Sequence, residues 1–252
     1  MREFLKEHLF RQPQETGETA IIANNHEGET VALDMKDVRQ RCQEMYSKIS
    51  GKKEAIPQIE LTAEQIEHIR EKMEMRGFDT MLWVSGKDRT PGVRSIIEKL
   101  MDAPGKTPPE FFGRVDGDNA AAVTEDRPEG PYLVLTRSTG AEYWTEGKDL
   151  KEIDDGLARV DEKGLTLREY LMVESLNAAD RKRKQPKEAP SPRIVGEYLL
   201  GSRLPSGEVI AVSKDHTGDI SISSAKPGAQ HPDYGAKGAV IIPLENKPEQ
   251  PQ

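Results

Sequence analysis

The feature that most constrains this 252-residue chain is a change of texture around Asp180–Pro192. That stretch reads Asp-Arg-Lys-Arg-Lys-Gln-Pro-Lys-Glu-Ala-Pro-Ser-Pro; its prolines and its basic run oppose any packed element. Before it, apolar residues recur at spacings of three and four, the period of a helix. After it they come in short runs: Ile194-Val195, Tyr198-Leu199-Leu200, Val209–Val212, Ile220–Ser223 and Ala239–Ile242. Turn sequences such as His216-Thr217-Gly218-Asp219 separate these runs, as in a small antiparallel sheet. The expected fold is α+β, an N-terminal helix/strand region followed by a small, mostly antiparallel C-terminal β module. The expected boundaries are a weakly structured segment at 1–57, an α/β region at 58–180, a linker at 181–193, the β module at 194–245 and a disordered tail at 246–252.

Within the first two parts the local signals are specific. Thr19–Ala23 and Thr30–Leu33 flank a turn-like Asn24–Gly28 and suggest a hairpin. Asp34 caps a predicted helix in which Met35, Val38, Cys42, Met45 and Ile49 share a face. Thr62 with Gln65 forms a capping box, and Gly77 stands where a helix ends with positive φ. Phe78–Val84 alternates like a strand, and Thr90-Pro91 reads as the start of a second helix. Residues 104–130 read as a long loop. Tyr132–Leu135 reads as a buried strand, with Ala141–Thr145 as its hairpin partner. Thr166 with Glu169 forms another capping box, and Leu165 with Tyr170 a hydrophobic staple.

Composition sets limits on function. Leu, Ile, Val and Phe make up 52 of 252 residues, enough for a modest core. No apolar run approaches the length of a membrane span, and Met1–His8 lacks the apolar core of a signal peptide, so a cytoplasmic location is expected and no membrane partner. Cys42 is the single cysteine, which excludes an intrachain disulfide and a cysteine-rich zinc site; it reads as a small helix filler. The net charge of −8 opposes broad binding to nucleic acid, whose phosphates need a basic face.

Four segments occur in a suggestive order: Gly130-Pro131-Tyr132-Leu133-Val134-Leu135, Gly164–Leu171, Leu200-Gly201-Ser202-Arg203 and Asp233–Val240. Together they span about half the chain. The series resembles an uncharacterised family of hypothetical proteins from small-genome candidate-phyla bacteria. The closing sheet resembles the last strands of C-type-lectin-like modules. The departures are Lys237-Gly238, where the family has Arg-Pro, and Tyr198, where a Trp is usual. The resemblance implies a β module and transfers no catalytic residue.

Candidate sites are few. Ser85–Thr90 joins a strand to a helix start, and Gly86, Lys87, Arg89 and Thr90 form a candidate anion site, against the plainer reading of a polar turn. Gly105-Lys106-Thr107 lacks the earlier glycine of a phosphate loop. Asp116–Asn119 begins like a calcium loop, but Ala121 and Arg127 occupy its sixth and twelfth positions. His216 and His231, with Asp215, Asp219 and Asp233, lack regular ligand spacing, so no metal and no cofactor are expected. Arg181–Lys184 lacks interleaved aromatics and reads as a solvated run. The expectation is a non-enzymatic binding or structural module, with a protein as one candidate partner. The alternative is a small-molecule anion- or phosphate-binding enzyme or sensor built on Gly86–Thr90.

Overall fold

A computed structural model describes residues 20–24, 28, 30–86, 91–101, 109–111, 123–124, 127–138, 141–183, 196–214 and 219–244. The fold is α+β. The predicted hairpin forms from β1 (Ala20–Asn24) and β2 (Thr30–Asp34), paired antiparallel with Ile22 opposite Ala32. The Asp34 carboxylate accepts Lys36 N–H at 2.8 Å and starts α1 (Met35–Ser50). The predicted stripe is buried, with Tyr46 added to it, and Gly51 closes the helix at φ +70°. The hairpin and α1 share one apolar core with the elements that follow. Ala20–Asn24 and Thr30–Ser50, read from the sequence as part of a weakly structured segment, are therefore regular and packed.

Both halves of the first capping box are made at the start of α2 (Ala63–Arg76): Gln65 N–H donates to Thr62 Oγ1 at 3.1 Å, and Thr62 N–H to Gln65 Oε1 at 2.9 Å. β3 (Thr80–Val84) follows, buried at all five positions. The next helix, α3 (Val93–Ile96), is capped by Gly92. The start signal at Thr90-Pro91 comes two residues early because Gly92 takes the extended cap geometry, φ −64° and ψ 152°. A wider π turn, Ile97–Met101, continues it. The long loop read at 104–130 supplies two short strands, β4 (Glu110–Phe111) and β5 (Val123–Thr124).

β6 (Tyr132–Thr136) forms as expected, but Tyr143–Thr145 is a single 3₁₀ turn and not its hairpin partner. Glu142 N–H bonds Ala236 O at 2.9 Å, which ties this segment to a distant strand. Asp149 caps α4 (Leu150–Arg159), which packs Leu150, Ile153 and Leu157 inward. After β7 (Lys163–Gly164), the second capping box opens α5 (Leu167–Arg183): Glu169 N–H meets Thr166 Oγ1 at 3.2 Å and Thr166 N–H meets Glu169 Oε2 at 2.8 Å. From Leu167 to Val173 every residue but Arg168 is buried, because this helix touches both β3 and the first strand of the C-terminal sheet. It runs on to Arg183, inside the segment read as a linker; 184–193 lie outside the described residues.

The C-terminal strands are β8 (Gly196–Arg203), β9 (Val209–Lys214), β10 (Ile220–Ala225), β11 (Tyr234–Ala236) and β12 (Gly238–Pro243). One sheet has the order β11-β8-β9-β10-β4, with β5 also on β8. Both its faces are covered. Leu199, Ile210 and Val212 join the main core, while Tyr198, Leu200, Val209 and Ala211 meet α4 in a second, smaller core. The period of two along β8 and β9 sorts their side chains between the two. The other sheet has the order β3-β6-β12-β7. The last strand thus leaves its neighbours: β11 pairs with β8, Lys237 alone intervenes, and β12 pairs between β6 and β7. Where the sheets approach, Gly201 N–H donates to Leu165 O at 3.1 Å. A Cβ on Gly201 would stand 2.6 Å from Gly164 O, so the two backbones approach more closely there than a side chain allows. Arg203 reaches Asp154 on α4 at 3.5 Å, both partly exposed.

Candidate functional site

Gly86 follows β3 at φ +101°, and a Cβ there would lie 2.2 Å from Glu129 O. Only glycine fits both the backbone angle and the contact. Lys87, Arg89 and Thr90 lie outside the described residues. What the structure places is the end of the strand. Trp83 N–H donates to Cys42 Sγ at 3.3 Å, and Ser85 N–H donates to Tyr46 Oη at 3.2 Å. The Tyr46 and Trp83 rings meet edge to face, 5.3 Å apart at 70°. Burial pushes the Cys42 thiol up to about 11 and the Tyr46 hydroxyl higher still, so both stay protonated at neutral pH. Trp83 Nε1 and Ser85 Oγ are buried and make no hydrogen bond of good geometry. The signal for this grouping was a Cys42–Tyr46 pair one helical turn apart, which by itself reads as core.

Three further groups of charges lie inside the molecule. In the first, the Arg127 guanidinium grips Glu169 with two bonds, 2.7 and 2.9 Å, and also donates to Gly164 O at 2.7 Å. Tyr132 Oη donates to Glu169 Oε1 at 2.9 Å. Burial pushes the Glu169 carboxyl up, but the Arg127 charge and these hydrogen bonds outweigh it and hold it below the usual range. Burial, and then the Glu169 charge, push the Tyr132 hydroxyl up.

In the second, Arg76 bridges two carboxylates: its Nε meets Glu162 Oε1 at 2.8 Å and a terminal nitrogen meets Glu142 Oε2 at 3.0 Å. Lys72 lies 3.6 Å from Glu162, Arg137 3.7 Å from Glu142, and Trp144 Nε1 donates to Glu142 at 3.1 Å. Burial raises the Glu142 carboxyl against the pull of Arg137 and Arg76. Exposed Met75 and Tyr143 adjoin this network in sequence.

In the third, Lys237, 1% exposed, stands 3.8 Å from Glu197, too far for a hydrogen bond, while Lys214 meets Glu174 at 2.7 Å. Both ammonium groups lie over the Tyr170 ring, at 5.6 and 5.9 Å. Burial raises the Glu197 carboxyl despite Lys237 and Lys214. None of these groups was foreseen, because their members come from distant parts of the chain.

His231 Nδ1 accepts Asp233 N–H at 3.2 Å and its ring lies against Tyr234. His216 and Asp215 lie outside the described residues, and among those described no three His, Cys, Asp or Glu side chains gather as for a metal. Gly105–Thr107, Asp116–Asn119 and Lys184 also lie outside them. Among the described residues no helix is long and apolar enough to cross a membrane. No protein-family model, no curated protein and no solved structure matches the chain.

Proposed function

We propose that this protein is a non-enzymatic binding or structural module. The observation that carries this reading is how its interior charges are spent. Glu169 is used by Arg127, Tyr132 and the start of α5; Glu162 by Arg76; Glu174 by Lys214. A catalytic acid or base must be free to exchange a proton with a substrate. These carboxylates are instead committed to holding elements together.

The reading is tested by thermal shift against phosphates, nucleotides, sugars and divalent metals, since a ligand that binds only the folded state raises its apparent stability. A shift with one class, without turnover of that compound, supports a binding module. A flat response leaves a structural or protein-binding role. Turnover of any compound in the panel overturns the reading. The second reading, an anion- or phosphate-binding enzyme or sensor at Gly86–Thr90, is favoured by one observation: Gly86 is fixed between the end of β3 and the Glu129–Gly130 backbone.

A further inference from the structure

We propose that the end of β3 holds a small oxyanion, a carboxylate or phosphate-type group, on donors from Trp83, Ser85 and Tyr46. The proposal deepens the binding reading and does not depend on the charges of the following loop. Trp83 and Ser85 are two residues apart, so an extended backbone sends both side chains to the same side. The indole N–H can only donate. It is buried, on a residue 8% exposed, and no acceptor among the described residues meets it. Buried donors are satisfied in the great majority of proteins, and an exception calls for a reason.

The neighbouring groups share its character. Ser85 Oγ is also buried and makes no well-formed hydrogen bond, although the Tyr46 hydroxyl is close by. Tyr46 Oη accepts from Ser85 N–H and keeps its own proton to give; burial guarantees that the proton is present at neutral pH. The place therefore offers donors. The buried carboxylate of Glu169 is taken up by Arg127, Tyr132 and Thr166. The Arg168 charge acts on Tyr46 in the direction that favours a negative group. An oxygen acceptor bearing negative charge answers all three donors at once. It must be small, because Cys42 and Val84 beside it are wholly buried and Tyr46 is 7% exposed.

The chain has two tryptophans, so Trp144→Phe leaves Trp83 as the only indole. The full-length variant is titrated with inorganic phosphate, with acetate, and with sodium chloride at matched ionic strength. A saturable change in Trp83 emission with phosphate or acetate, accompanied by a rise in melting temperature, supports the site and tells the two sources apart. Ser85→Ala, which keeps the packing, is expected to weaken that binding about tenfold, and Trp83→Phe on the native background to abolish the thermal shift. If Trp83→Phe does not fold, Ser85→Ala carries the comparison. No response to either oxyanion beyond the chloride control overturns the proposal. If sugars, nucleosides or metals still shift the melting temperature in that case, the binding reading survives without this site.

Discussion

Arg127 shows what a single side chain does here. In the sequence it is merely the wrong residue at the end of a failed calcium loop. In the structure it neutralises Glu169, whose carboxylate also closes the capping box of α5 and receives the Tyr132 hydroxyl. The box was legible, because Thr166 and Glu169 are neighbours; the ion pair was not, because Arg127 is far away in sequence. A bidentate pair with both partners 1% exposed is costly to break, since the survivor keeps its charge without its counterion. Arg127→Met, which keeps most of the apolar stem, is expected to lower the unfolding free energy by about 3–5 kcal/mol in urea titrations at neutral pH. The pair also makes stability depend on acid. Because the folded Glu169 carboxyl lies below its ordinary value of 4.5, its contribution is present above that pH and is lost as pH falls through the folded value. Glu169→Gln, still able to cap, is expected to be less stable at neutral pH and to show a smaller loss on acidification. Equal acid slopes for the two proteins would mean that another carboxylate dominates.

At the scale of elements, what could be read was what is local. The hairpin, the stripe of α1, both capping boxes and β6 are each encoded within about fifteen neighbouring residues, and all form. The 3₁₀ turn at Tyr143–Thr145 was missed because hydrogen bonds to Ala236 override a weak strand pattern. α4 was missed although Asp149, Leu150, Ile153 and Leu157 carry a cap and a helical spacing. Contacts between elements were legible at one point, Gly201, where a glycine inside a strand suggested a close approach. A methyl group there would press on Gly164 O at 2.6 Å and on the Arg127 guanidinium at 2.8 Å. The carbonyl belongs to β7 and cannot swing aside as a side chain would. Gly201→Ala is therefore expected to destabilise the protein by about 1–3 kcal/mol, the usual cost of forcing atoms into a packed place. An unchanged urea midpoint would show that β7 and β8 can part without loss.

At the scale of the whole molecule, the chain closes on itself through its last strand. An apolar run such as Ala239–Ile242 announces a buried strand but not its partners, since any sheet with a free edge would accept it. The structure seats β12 between β6 and β7, so Val240 faces Leu135 and Ile242 faces Leu133 across the ladder. The preceding strand, β11, stays with β8, and Lys237 at the crossing point stands beside Glu197. Truncation after Asp233 removes all of this at once. It strips β7 of its sheet neighbour, exposes one edge of β6 and one of β8, and leaves Glu197 buried without Lys237. Unpaired edges flanked by apolar side chains are templates for association. The truncated protein is expected to lose its cooperative melting transition, to bind a hydrophobic dye and to sediment as aggregates. A chain that stayed monomeric with an unchanged melting profile would show that the β3–β6 pair and the larger sheet stand without β12, and that the last strand only covers them.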